Sequence, residues 1–400
     1  MIIPDIKYSL SDLAIIPTIT TEIKSRSECY PYYPYKRLPI FTAPMESVCN
    51  DKNYQVFDRE HITPIIHRNV PLEKRLELLD LQLWCAYSLK EFENIFVKLE
   101  HKFIPNKTYY ALIDVANGHM QQIIDLAADA KLSAKQKGYQ LILMAGNIAN
   151  PNTYMNYCNA EIDYVRCSIG TGSQCLTSAN TAIHYPNASL ISEIYKIKQE
   201  YKAKKWFTTK IVADGGMGNT EEAFARSIIA LALGADYVMI GGAFSSFVDS
   251  SAKFCNVEKR FSESIELHHH HDEKLKNFFT QHDCNTMSEM GNVYIKHNQI
   301  YNDNELAQFI VNNYHLKKES FGMSSKQAQE NNPNFDGNYK TSEGKLIISD
   351  VKYTCHSWTE NFIDYLKSAM SYCNARILED FIGKQTLIIK SSGTHFTINK

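Results

Sequence analysis

Between residues 40 and 242 the chain repeats one alternation: a short, almost wholly apolar run, then a longer stretch with helical spacing. The runs are Ile40–Met45, Thr63–His67, Leu81–Ser88, Tyr109–Ala116, Gln140–Ile148, Tyr164–Ile169, Lys210–Gly216 and Tyr237–Gly242, eight in all. A run that is apolar at nearly every position suits a strand buried on both faces, the condition of a parallel sheet covered by helices. Eight such units predict an α/β fold, a closed (β/α)8 TIM barrel. Gln121–Lys137, Ser189–Tyr201 and Thr220–Leu233 read as helices between them, the last starting at Thr220 and stopping at Gly234.

Polar or glycine residues close nearly every run: Glu46, His67–Arg68, Asp114 with Asn117 and Gly118, Gly146–Asn147, Asp214–Gly215–Gly216 and Gly241–Gly242. In a barrel this end of the strands is the catalytic face. Taken singly, each is also an ordinary loop signal. After the sixth run comes Cys167-Ser-Ile-Gly-Thr-Gly-Ser-Gln-Cys175-Leu-Thr177. Gly170 and Gly172 permit a sharp turn with close backbone approach, Ser173 suits a phosphate, and Cys175 is a candidate nucleophile with a hydroxyl two residues on. Cys175 occupies the third glycine position of a dinucleotide fingerprint, so the loop is not that motif. On its own it also fits a tight turn ending in a buried cysteine.

Beyond the eighth run the alternation stops. Residues 249–320 are polar and rich in His, Asn and Lys, and read as an insertion within a single domain spanning 1–400. Asn292–Tyr301 fits a hairpin and Asn304–Tyr314 a short helix. Residues 321–350 read as a short C-terminal flap of low hydrophobicity, and 356–383 as a helical region, with a helix over Asn361–Phe381 packed outside the barrel. The run His268–His271, near Cys255, His282 and Cys284, fits no standard zinc spacing and reads as a solvated loop.

A formal charge of −2 and the lack of a basic patch with interleaved aromatics argue against nucleic-acid and membrane-surface partners. No signal-peptide pattern opens the chain and no apolar run is long enough to span a bilayer. Ten cysteines without framework spacing fit reduced thiols, so a cytoplasmic location is expected.

Several motifs in one order resemble the IMP dehydrogenase/GMP reductase superfamily. They are Leu38-Pro-Ile-Phe-Thr-Ala-Pro-Met-Glu-Ser-Val48, Ile113-Asp-Val-Ala-Asn-Gly118, Met144-Ala-Gly-Asn-Ile148 and the Cys175 loop, then Ala213-Asp-Gly-Gly216, Val238-Met-Ile-Gly-Gly242, Phe321-Gly-Met-Ser-Ser325 and Tyr339-Lys-Thr-Ser-Glu-Gly-Lys345. The chain is more similar to the GMP reductase branch. It carries Asp114-Val-Ala-Asn-Gly118, the pair Gly241–Gly242, and a short flap without the Arg-Tyr pair that activates water in the dehydrogenases.

The resemblance implies NADPH-dependent reductive deamination of GMP, or a related purine nucleotide, to IMP and ammonia. Cys175 would attack C2 of the purine, with Thr177 and Glu343 moving protons. Ser173, Gly215, Gly216, Gly241, Gly242 and Ser324 would hold the phosphate, and Asp214 the ribose. Met323, Lys340, Ser342 and Gly344 would address the base. Asp114, Ala116 and Arg68 would face the nicotinamide, and the carbonyls of Gly170, Gly172 and Cys175 would hold a monovalent cation, potassium. A homotetramer is implied as well. Against the family pattern, Thr171 replaces proline, Lys340 an arginine and Arg68 a lysine, and the segment after Thr177 lacks an arginine and a glycine pair. An IMP dehydrogenase-like enzyme acting with NAD, and a catalytically silent purine-nucleotide-binding protein, are the alternatives.

Overall fold

The structure, a computed structural model, describes residues 5–203, 208–255, 260–262, 264–268, 292–331, 335, 337–339 and 341–390. Its centre is one sheet of eight parallel strands: β1 (Ile40–Thr42), β2 (Ile65–Ile66), β3 (Trp84–Tyr87), β4 (Thr108–Asp114), β5 (Gln140–Ile148), β6 (Tyr164–Cys167), β7 (Lys210–Asp214) and β8 (Tyr237–Ile240). Each lies within one expected run, except that β4 begins one residue before Tyr109–Ala116. β1 pairs with β8, Ile40 opposite Val238, and a parallel bridge between Phe41 and Thr63 joins β1 to the entry of β2. That bridge closes the circle, and the fold is a (β/α)8 barrel.

Inside each continuous apolar run the strand period of two still operates. Phe41, Leu112, Met144, Val212 and Met239 point into the barrel. Their neighbours Ile40, Ala111, Leu143, Ile211 and Val238 point out to the helices. Tyr33, Phe41, Trp84, Tyr164 and Tyr237 plug the end where the strands begin, with Lys210 Nζ 5.2 Å from the Tyr164 ring centre and 5.6 Å from that of Tyr237. The filled floor leaves the opposite rim to offer cavities.

Gln121–Lys137 is helical over the expected residues and ends at Gly138 with φ +74°. The next helix covers Asn187–Lys202. The third runs from Glu222 to Leu233, two residues later than expected. Its first turn is capped by Asn219, whose Oδ1 accepts from the N–H groups of Glu221 and Glu222 at 3.1 and 2.9 Å, while Thr220 is buried. Gly234 ends it at φ +112°, where a Cβ would lie 2.2 Å from the Tyr195 ring, so a side chain has no room.

The outer C-terminal helix corrects the expected Asn361–Phe381. It spans Cys355–Tyr372 behind a Thr354 cap, and a separate turn covers Leu378–Phe381. Trp358 stacks on Phe224 and Phe362 and donates Nε1–H to Thr220 O at 2.9 Å, fixing this helix on Glu222–Leu233. A pairing of Leu13–Ile15 with Leu387–Ile389 ties the two ends together.

The stretch after the eighth strand departs most from a polar insertion. Lys253–Cys255, Arg260–Ser262, Lys317–Phe321 and Leu346–Asp350 form a four-stranded antiparallel sheet. Val248, Phe254, Ile295, Ile300, Leu306, Ala307, Ile310 and Val351 build a second core beside it. The expected hairpin over Asn292–Tyr301 is instead a strand, Asn292–Lys296, paired with Ser264–His268 and followed by a helix at His297–Asn302. A helix occupies Asn304–Asn313. Lys318 anchors the sheet: its buried Nζ donates to Val248 O and Ser250 O at 2.8 Å each, beside buried Asp249. His269–His271, His282 and Cys284 lie outside the described residues, and no metal-holding group of His, Cys, Asp or Glu occurs among the described ones. No described helix is long and apolar enough to cross a membrane.

Candidate active site at the barrel mouth

The loop after β6 turns back across the rim and lays Cys175 between two adjoining cavities of about 230 and 210 Å³. Among the described residues Cys175 and Cys255 are the partly exposed thiols, and the other seven are buried. Burial pushes the Cys85 thiol up to about 12 and also raises Cys167, which leaves those groups protonated and inert.

Three side chains form a directed chain. Cys175 Sγ lies 3.2 Å from Thr177 Oγ1, and Thr177 Oγ1 donates to Glu343 Oε2 at 2.5 Å. A hydroxyl whose proton is committed to a carboxylate offers its lone pairs to the thiol S–H. Glu343 reaches this position through backbone pairing. Leu176 N–H donates to Glu343 O at 2.6 Å, Cys175 bridges Gly344, and Lys345 N–H donates to Gln174 O at 3.0 Å. Residues 343–345 are thereby laid directly against the Cys175 loop.

The first cavity is lined by Arg68, Ala116, Gly170 and Thr177, and the second by Ser173, Gly216, Gly241 and Gly242; Asp114, Gly172, Cys175, Asp214, Gly215, Met323 and Ser324 face both. A Cβ on Gly242 would lie 2.8 Å from Ser173 Oγ, so the missing side chain is what keeps the space beside that hydroxyl open. Ser342 and Gly344 line neither cavity. The Ser342 hydroxyl instead bonds Gly344 O at 2.8 Å and Ser324 O at 3.3 Å, shaping the flap turn. Lys340 lies outside the described residues.

Sequence reasoning missed Arg166. It is 7% exposed on β6, faces both cavities, and bridges Asp114 at 2.6 Å to Asp214 at 2.9 Å. Burial opposes its charge, but Asp214 and Asp114 more than offset this, and its pKa is raised. Asn147 Nδ2 adds a second partner to Asp214 Oδ2 at 2.7 Å, so both carboxylates are held in fixed orientation at the floor of the site. The available signal was a lone charge inside an otherwise apolar strand. His67, at the end of β2, is buried beneath the rim; burial, then Arg75, push its pKa down to about 3, so the imidazole is neutral.

The expected cation ring meets an obstacle. Gly170 O already accepts from Ser178 Oγ at 2.9 Å, and Gly172 O from the Cys175 N–H at 3.0 Å. His184 Nδ1 lies 3.1 Å from Ile169 O. Two of the three expected cation carbonyls, those of Gly170 and Gly172, thus already accept one protein hydrogen bond each. The nicotinamide side fits better. Arg68 Nε is buried without a hydrogen-bond partner among the described residues, and a carboxamide oxygen would satisfy that donor.

Residues 82–265 match the family described as IMP dehydrogenase / GMP reductase domain. That match and the barrel fold make the chain similar to the IMP dehydrogenase/GMP reductase superfamily. Within it, the similarity is to GMP reductase. The GMP reductase of Staphylococcus carnosus is 26% identical over 303 residues, 71% of this chain and 88% of its own length. That of Shewanella halifaxensis is 21% identical over 402 residues, 96% of this chain and 95% of its own. That of Streptococcus suis is 27% identical over 267 residues, 64% of this chain and 76% of its own.

Proposed function

We propose that the protein is an oxidoreductase of purine nucleotides that converts GMP, or a close analogue, to IMP and ammonia through a covalent bond at Cys175. The observation that carries this reading is the chain from Cys175 through Thr177 to Glu343, set where the two cavities meet. The second cavity, with Ser173, Gly241 and Gly242, suits a phosphate without steric cost, and Asp214 suits a ribose hydroxyl pair. The first, with Arg68, Asp114 and Ala116, suits a nicotinamide.

The thiol loses its proton along the Thr177–Glu343 chain and its sulfur bonds C2 of the purine. Glu343 returns a proton through Thr177 to the departing nitrogen, so that ammonia and not amide leaves. NADPH, when bound, supplies the hydride that C2 takes up, and the C–S bond then breaks to release IMP and the thiolate. The balance is GMP, NADPH and two protons to IMP, ammonium and NADP⁺. A homotetrameric assembly and a cytoplasmic location belong to the same reading and rest on the resemblance.

The test is the fall of NADPH absorbance on adding GMP, with the Cys175→Ala variant as control and intact-mass detection of the adduct. IMP-dependent formation of NADH would reassign the chain to the dehydrogenase branch. GMP binding without an adduct or turnover would make it a silent binder.

A further inference from the structure

Of the flap, residues 322–331 and 341–345 are described beside Cys175, and its two arms are the paired strands Lys317–Phe321 and Leu346–Asp350. The loop residues 174–176 run along the returning arm, tied by Lys345 N–H to Gln174 O, the Cys175–Gly344 bridge and Leu176 N–H to Glu343 O. Gln174 also reaches the outgoing arm: its Nε2 donates to Ser320 Oγ at 2.6 Å. Gln174 is 5% exposed, and Ser320 is buried. Gly322 closes the contact from above, where a Cβ would stand 3.2 Å from Gln174 O. Two residues before Ser320, Lys318 is anchored on Val248 O and Ser250 O, just past the barrel. A continuous line therefore runs from barrel to Lys318, to Ser320, to Gln174, and to the nucleophile beside it.

We propose that Gln174 is a positioning residue that holds the flap shut over Cys175, so that the covalent intermediate meets hydride and not water. The inference rests on the reaction proposed above. Once ammonia has left, C2 is bonded to Cys175 Sγ and is open to either nucleophile. Water adding at C2 expels the thiolate and yields xanthosine monophosphate, the net change being GMP and water to that product and ammonia, with no redox partner. Hydride yields IMP. Met323 and Ser324 of the flap line both cavities beside Cys175, and Gln174 joins both arms of the flap to the loop.

The experiment replaces Gln174 by Met, similar in length but unable to donate, and separately Ser320 by Ala. Two readouts are followed: the ratio of xanthosine monophosphate to IMP made from GMP, and the iodoacetamide alkylation rate of Cys175 by peptide mass mapping. Loss of one neutral hydrogen bond should raise both by about fivefold in either single variant, and the double variant should add nothing further. An unchanged product ratio with unchanged alkylation in a folded Ser320→Ala protein overturns the proposal, as does full additivity. If the wild type forms no adduct with GMP, the proposed reaction fails. Faster alkylation in the variants would then still uphold closure by Gln174, and an unchanged rate would reject it.

Discussion

Thr177 donates its hydroxyl proton to Glu343 Oε2 across 2.5 Å, although 166 residues separate the two in the chain. The contact gives Thr177 a direction: its proton points to the carboxylate and its lone pairs to Cys175 Sγ, 3.2 Å away. Glu343→Gln keeps an acceptor for Thr177 but cannot take a proton. Turnover should fall by about 10²–10⁴ with little change in nucleotide KM. Steady-state kinetics check this, and a variant that lost affinity but not kcat would contradict it.

Arg166 is the shared counterion of Asp114 and Asp214. Arg166→Met leaves two partly buried carboxylates facing each other without their cation. The variant should lose about 3–5 kcal/mol of stability, read from urea unfolding, because an unpaired buried charge costs more than the pair contributes. Arg166→Lys should recover part of the loss, since one ammonium cannot span both partners with the fork of a guanidinium.

Gly242→Ala places a methyl 2.8 Å from Ser173 Oγ, so that hydroxyl must give way. If this space holds the phosphate, the nucleotide Kd should rise roughly tenfold, equivalent to about 1.4 kcal/mol. Isothermal titration measures it, and unchanged affinity would remove Gly242 from the binding site.

His67 should make stability depend on pH. Its folded pKa of about 3 lies below the ordinary value of 6.5, chiefly through burial, so the fold keeps the neutral ring. The contribution is complete above pH 6.5 and is lost as pH falls from there toward 3, since the unfolded chain takes up the proton first. The slope from this group alone is about 1.4 kcal/mol per pH unit. His67→Gln should flatten that part of the stability profile, measured by denaturant unfolding at a series of pH values.

The barrel was legible because its evidence is local. A strand sheathed on both sides must be apolar at nearly every position, so runs such as Tyr109–Ala116 and Gln140–Ile148 announce themselves wherever they fall. Cys175 and its glycine turn are legible for the same reason: nucleophile, turn and hydroxyl all lie within a few residues. The start of the helix at Glu222 was misplaced because Asn219 and Thr220 both satisfy the capping rule, and burial chose between them.

The second core could not be read that way. Leu306, Ala307 and Ile310 share one helix face, but the other members are strewn from Val248 to Val351 among polar residues without a common period. Arg166 shows the same divide. Local order marks it as an odd charge in a strand, while its partners on β4 and β7 come within reach only when the sheet curls into a barrel. Short-range patterning thus decided which segments would form the barrel and where the thiol would stand. Which carboxylate would lie beside that thiol, and which strands would pair with its loop, depended on long-range contacts whose free energy exists only in the closed chain.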